Sequence, residues 1–328
     1  MDLRGKRVLV IGGAGFIGSH VVEELLREDV AELIIYDNFT RGSHDNLAEA
    51  LKDPRAKVYE FGGDILHSDI LNRAMKGVDG VFHLAALWLL HCQEYPRSAF
   101  EVNVRGTFNV IEACIANKVT RLVYSSSASV YGNAVEIPMT ENHIYNNRTF
   151  YGATKIAGEQ MCRAFYERYG LDYVGLRYMN VYGPRQDYKG AYIAVIMKIL
   201  DRLDQGLSPV VHGDGSQEFD FIYVAEAARA NVKAMQSGVS DHFYNVGSGE
   251  GTTIKALTEL ILELTGCKLP IHYEPAGQTF VTKRIGDPTL AARDLGFRTS
   301  LDLRDGLKRL IAWRNNHKDQ VAARRALD

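Results

Sequence analysis

The sequence predicts an α/β protein: a Rossmann-like, doubly wound parallel sheet with a smaller, mostly C-terminal α/β substrate domain. Three observations predict it. Short apolar runs alternate with helix-length amphipathic stretches, the pattern of βαβ units. The runs are apolar almost throughout, as strands buried on both faces must be. The first run ends in a glycine-rich turn that opens directly into a helix-length segment.

The elements follow in order. RVLVI (7–11), LIIYD (33–37), KVYEF (57–61), GVFHL (80–84), RLVYSS (121–126) and YVGLR (173–177) read as strands. Helix-length segments separate most of them, including FIGSHVVEELLRE and the run from Arg97 to Asn117. The pattern loosens after Arg177, where YMNVYGPRQDYKG leads to a helix near 190–204. HGDGSQEFDFIYV follows, then a helix near 224–236, a strand near 242–246, the helix TTIKALTELILELTG and a mixed tail. We expect residues 1–177 and 220–247 to form the cofactor domain, and 178–219 and 248–328 the substrate domain.

Composition narrows the function. The 328 residues are 46% hydrophobic and 24% charged, with a net charge of −2. No basic excess points to nucleic acid, and no Lys/Arg cluster points to an anionic membrane. The apolar runs are strand-sized, and MDLRGKRVLVIGG lacks a signal-peptide core, so a cytoplasmic protein without membrane partners is expected. Cys92, Cys114, Cys162 and Cys267 are scattered and read as reduced packing residues. No metal-ligand spacing occurs, so no metal is expected.

Gly12, Gly15 and Gly18 of GGAGFIG are spaced to let the backbone approach a pyrophosphate at a helix N-terminus. Asp37 ends the second strand, 19 residues beyond Gly18, where a carboxylate accepts hydrogen bonds from adenosine ribose hydroxyls and repels a 2′-phosphate. NAD is therefore expected rather than NADP. Asp64, after the third strand, reads as an adenine contact or a turn aspartate. Tyr151 and Lys155 of FYGATK stand at i, i+4 on one helix face, 24 residues after Ser127 of SSSASVYG. A lysine ammonium beside a phenol favours the phenolate; lowering its pKa by about three units takes roughly 4 kcal/mol.

Taken together, GGAGFIGSH, YDNFTRG, GDI, HLAA, VNVRGT, SSSASVYG, YGATK, LRYMNVYGPRQ and DFIYV resemble the extended short-chain dehydrogenase/reductase family, over roughly residues 5–313. Within it, the chain is similar to NAD-dependent nucleotide-sugar epimerases of the UDP-galactose 4-epimerase type. The resemblance implies a catalytic triad of Ser127, Tyr151 and Lys155. It implies NAD contacts by Phe16, Ile17, Asn38, Ile65, Leu84, Ala85, Ala86, Asn103 and Met179, besides the glycines, Asp37, Asp64, Tyr151 and Lys155. On the substrate side it implies Ser127, Ser129, Tyr151, Asn180, His212 and the region of Phe219. It also implies a homodimer in which the helices near 97–117 and 151–169 pair as a four-helix bundle.

Two details bear on the reaction. Dehydratases of this family carry an acid directly after the catalytic Ser/Thr, to expel the sugar 6-hydroxyl, and decarboxylases carry a similar Glu; here the position is Ala128. The expected reaction is therefore epimerisation of a nucleotide-diphosphate sugar at C4 through a 4-keto intermediate. A sugar dehydrogenase or 4-keto reductase is the alternative, and a catalytically silent NAD-sensing protein a further one. The arginines that hold the diphosphate in such epimerases are replaced by Phe219 and Gly277. Lys283 and Arg284 are candidate substitutes, or simply an exposed basic pair. ALWLL (86–90), unusually apolar for a sugar-facing loop, reads as core, with a site role as the alternative.

Overall fold

The computed structural model describes residues 1–186, 195–276 and 281–325. Seven parallel strands form the central sheet: β1 (Arg7–Ile11), β2 (Glu32–Tyr36), β3 (Ala56–Val58), β4 (Gly80–His83), β5 (Arg121–Ser127), β6 (Tyr173–Tyr178) and, later in the chain, β10 (His242–Val246). Their order is β10-β6-β5-β4-β1-β2-β3. The winding direction reverses between β1 and β4, and the loops after these strands diverge there to leave a crevice.

Successive residues of β1 show why the strands are apolar throughout. Val8 and Val10 pack with the helices Phe16–Leu25 and Val224–Gln236 on one face. Leu9 and Ile11 pack on the other, with residues of the helices Thr107–Ala116 and Phe150–Tyr169. Side chains alternate across a strand, so a sheet covered on both faces has no polar side. The third strand is shorter than the expected 57–61, stopping at Val58. Pairing with β2 spans only Leu33 to Ile35, leaving Phe61 exposed.

A smaller set of strands lies beyond β6: β7 (Asn180–Tyr182), β8 (Val210–His212), β9 (Glu218–Tyr223), β11 (Gly251–Thr253), β12 (His272–Glu274) and β13 (Lys283–Arg284). β9 is paired with β7, β11 and β13, while β12 pairs with β8. Tyr182, Phe221 and Tyr223 pack with Leu257, Ile261, Leu307 and Leu310, giving these elements their own core. The helix expected near 190–204 is described from Val195 to Asp204. The Arg97–Asn117 run widens over Phe100–Gly106 into i→i+5 turns, flanked by α-helical Pro96–Ala99 and Thr107–Ala116. Among the described residues, no helix is long and apolar enough to cross a membrane and no His/Cys/Asp/Glu cluster could hold a metal ion. The four cysteines are free.

Candidate active site

The carboxyl ends of β1, β2, β4 and β5 open into a cleft of about 830 Å³. Its floor is the turn after β1. Gly12 has φ +79°, and a Cβ there would lie 2.7 Å from the Ala85 nitrogen. A Cβ on Gly18 would lie 2.0 Å from the Gly12 oxygen. Gly15 caps the Phe16–Leu25 helix, whose first N–H groups are left for an anion. Asp37 stands just past β2. Its carboxylate accepts from Ala14 N–H and Phe39 N–H, both at 2.8 Å, and lines the cleft beside Asn38. Burial raises the Asp37 pKa against these bonds. The carboxylate's remaining lone pairs are free to accept from ribose hydroxyls. Asp64 does two things: it accepts from Leu66 N–H at 2.9 Å within its turn, and it lines the cleft with Ile65. A glycine cradle that any Cβ would fill, followed by this carboxylate, fits an adenine dinucleotide.

Phe16, Ile17, Leu84, Ala85, Ala86 and Met179 also line the cleft. Of the two readings of ALWLL, the structure departs from core and follows the other: none of its residues is fully buried, and Ala86, Leu87 and Trp88 face the cleft. Asn103 explains how the loop is held there. Buried itself, it accepts from Leu87 N–H at 2.7 Å, donates to the Leu87 oxygen at 2.9 Å and donates to Thr154 at 3.1 Å. It braces the cofactor loop against the Phe150–Tyr169 helix from behind. Across the cleft mouth, the Arg41 guanidinium covers the Trp88 ring at 4.7 Å from its centroid. Arg41, Trp88, Arg185 and Gln320 line the cleft without having been singled out in sequence. Arg41 and Arg185 fall within the YDNFTRG and LRYMNVYGPRQ segments and Trp88 within ALWLL, though none of the three was named as a site residue; Gln320 stands on the last helix, outside these segments.

Ser127, Tyr151 and Lys155 meet on the same cleft wall. Ser127 ends β5, and its Oγ accepts from Ser129 N–H at 3.1 Å; buried Ser129 sits behind it. Thr149 caps the next long helix by accepting from Gly152 N–H, so Tyr151 and Lys155 occupy its first two turns. Lys155 Nζ donates to the Ser125 oxygen at 2.7 Å and lies 5.8 Å from the Tyr151 ring centroid. Burial pushes Tyr151 up to about 12; the facing Ser127 hydroxyl and the Arg284 guanidinium pull the other way. Burial also brings Lys155 down to about 8. The expected lysine-driven phenolate is therefore opposed by the dry wall itself, which disfavours both charged forms.

One carboxylate behind this wall has no counterpart among the sequence candidates. Glu159 lies one turn beyond Lys155 and is fully buried. It accepts from Ser126 Oγ at 2.5 Å, from Tyr145 OH at 2.7 Å and from Arg177 at 2.9 and 2.7 Å. Ser126 and Arg177 are register partners on β5 and β6. The ion pair thus fastens the Phe150–Tyr169 helix to β6, and the Ser126 hydroxyl fastens it to β5, the strand that ends in Ser127. The i, i+4 continuation Tyr151–Lys155–Glu159 was the available signal.

The structure separates the substrate-side candidates. Arg284 pairs with Phe219, and Asn180 with Phe221, so Asn180, Phe219, Phe221 and Arg284 share one face of the small sheet. Lys283 is on the other face, more than half exposed and bridged to Glu218 at 3.0 Å. His212 lies on β8, exposed, with Glu274 at 3.7 Å, and does not line the cleft. Gly277 lies outside the described residues.

A dinucleotide-shaped crevice walled by Ser, Tyr and Lys is the arrangement of an oxidoreductase-type enzyme fold. The chain belongs to the NAD dependent epimerase/dehydratase family, whose model matches residues 8–247. Among solved structures, it is 33% identical to UDP-N-acetylglucosamine 4-epimerase from Methanobrevibacter ruminantium, determined in complex with UDP-N-acetylmuramic acid (TM-score 0.90, covering 95% of this chain and 99% of that one). It is 34% identical to UDP-glucose 4-epimerase with UDP-glucose from Thermotoga maritima (TM-score 0.88, 94% and 99%). It is also 28% identical to dTDP-glucose 4,6-dehydratase from Streptomyces venezuelae with NAD bound (TM-score 0.88, 96% and 98%). The family is NAD-dependent and modifies nucleotide sugars.

Proposed function

We propose that this family member is a C4 epimerase of a nucleotide-diphosphate sugar, working through a transient 4-keto sugar. The observation that carries the reading is Ala128. It directly follows Ser127, is buried, and offers no acid to protonate a departing 6-hydroxyl. The buried carboxylate behind the wall, Glu159, is committed to Arg177, Ser126 and Tyr145. A wall with a base and a hydroxyl but no poised acid suits oxidation and return better than elimination.

Bound NAD supplies the hydride acceptor and a positive charge; Gly12, Gly15, Gly18 and Asp37 are the residues that would hold it. Tyr151 takes the proton of the sugar 4-hydroxyl, Ser127 donates to the same oxygen, and Lys155 keeps a positive charge beside the phenol. We assign residues 1–177 and 220–247 to the cofactor and 178–219 and 248–328 to the sugar nucleotide. A cytoplasmic homodimer completes the proposal, supported by the exposed Phe100, Phe108, Tyr166 and Tyr169 on the helices expected to pair.

The test is product analysis by NMR with UDP- and dTDP-hexoses. C4-inverted sugar is expected from the wild type. Tyr151→Phe should lower the rate by about 10²–10⁴-fold while retaining NAD. A 6-deoxy-4-keto product, or stoichiometric NADH, would overturn the reading.

A further inference from the structure

Arg284 is the unusual cation of this molecule. β13 places it beside Phe219, on the face shared with Asn180 and opposite the Lys283–Glu218 pair. Its Nε is closed to solvent and has no hydrogen-bond partner, and its side chain forms no ion pair among the described residues. A guanidinium does not escape this by losing its proton in any ordinary pH range. Burial brings Arg284 down to about 10, and the group whose charge it senses is Tyr151. Arg284 is half-buried rather than sealed in, and a guanidinium whose Nε is closed off without an acceptor is best completed by an anion.

We propose that Arg284 is a specificity residue that recognises a carboxylate carried by the sugar ring itself, so that the preferred substrate is an acidic nucleotide sugar such as a hexuronate. The proposal rests on the reading of Tyr151 as the base for the 4-hydroxyl. In a pyranose, the diphosphate hangs from C1, across the ring from C4. A cation coupled to the base at C4 faces the C4–C6 end, where a uronate bears its carboxylate. The charge count agrees. A diphosphate calls for more than one cation, yet Arg284 has an apolar ring, Phe219, as its register partner, and Lys283 is held on the other face by Glu218. One guanidinium matches one carboxylate, and its planar fork donates to the two oxygens together.

The experiment is calorimetric binding to the NAD-loaded protein at equilibrium. The probes are UDP-glucuronate, UDP-glucose and UDP, and the matching dTDP series. We expect the wild type to bind the uronate at least about tenfold more tightly than the neutral hexose, the equivalent of about 1.4 kcal/mol. Arg284→Gln should erase that preference and leave UDP affinity unchanged, and Arg284→Lys should keep part of it. Equal wild-type affinities for acidic and neutral sugars in both series would overturn the proposal. So would an Arg284→Gln variant that loses UDP, UDP-glucose and UDP-glucuronate alike, because Arg284 would then read the diphosphate. Turnover is scored separately. A protein that prefers the uronate but yields no C4 epimer would sink the epimerase reading and leave the carboxylate site standing.

Discussion

Arg177 is fully buried and Arg284 is half-buried with its Nε closed to solvent, and the chain treats the two guanidiniums in opposite ways. Arg177 meets Glu159 through Nε and Nη2, donates through Nη1 to Tyr131 OH and the Glu141 oxygen, both at 2.9 Å, and donates through Nη2 to Tyr145 OH at 3.0 Å. Burial works against its charge, yet Glu159 and its other neighbours raise its pKa. Arg284 has no such partners among the described residues. The contrast teaches that this fold can complete a buried guanidinium when the role is mechanical. Arg177 holds two strands and a helix in register, and Arg284 is left for something the chain does not contain.

The comparison can be broken most directly at Glu159. Glu159→Ala strands Arg177 without its counter-ion and should cost about 3–5 kcal/mol of stability, measured by urea unfolding. Arg284→Gln removes a cation that no described residue pairs, so the unfolding free energy should stay within about 0.5 kcal/mol of wild type. Equal losses would mean that Arg284 is a structural residue after all.

A third charge, Asp37, combines both roles: it is tied to Ala14 and Phe39 N–H groups and faces the cofactor cleft. Asp37→Ala should weaken NAD binding by about 1.5–3 kcal/mol, the range for hydrogen bonds to a charged group, and narrow the NAD/NADP gap. Fluorescence titration with both cofactors reads it; a wild-type protein that binds them equally contradicts the charge argument. Ser127→Ala removes one hydrogen bond to the reacting oxygen and one from Ser129 N–H. It should lower kcat by about tenfold, less than Tyr151→Phe.

The smallest expected effect is on pH dependence. Tyr151 is pushed up to about 12 by burial, and Arg284 opposes that rise. Below the pKa of the base, kcat/KM of a neutral hexose climbs with pH as the phenolate fraction grows. Arg284→Gln removes a positive charge, raises the Tyr151 pKa and moves this limb to higher pH. A shift to lower pH, or none, would mean that Arg284 does not act on Tyr151.

The sequence by itself determined the architecture and which residues line the cleft after β1 and β2. Apolar strand runs, a glycine turn that admits no Cβ and a carboxylate after the second strand are local signals, set by backbone geometry and by burial on both faces of a sheet. Ser127 and the Tyr151–Lys155 pair were legible for the same reason: a strand end and one helix face are spacings along the chain. The tertiary structure decided which of two adjacent cations turns inward, because the register of β13 on β9 puts Arg284 beside Phe219 and hands Lys283 to Glu218. It made ALWLL a cleft wall rather than core, because Asn103, 16 residues beyond Leu87, holds the loop by both backbone groups of that residue. It also gave Glu159 its partner on a strand 18 residues away. A side chain's charge is written in the sequence, but its counter-ion is chosen by strand register and by which surfaces close against water, and neither is local.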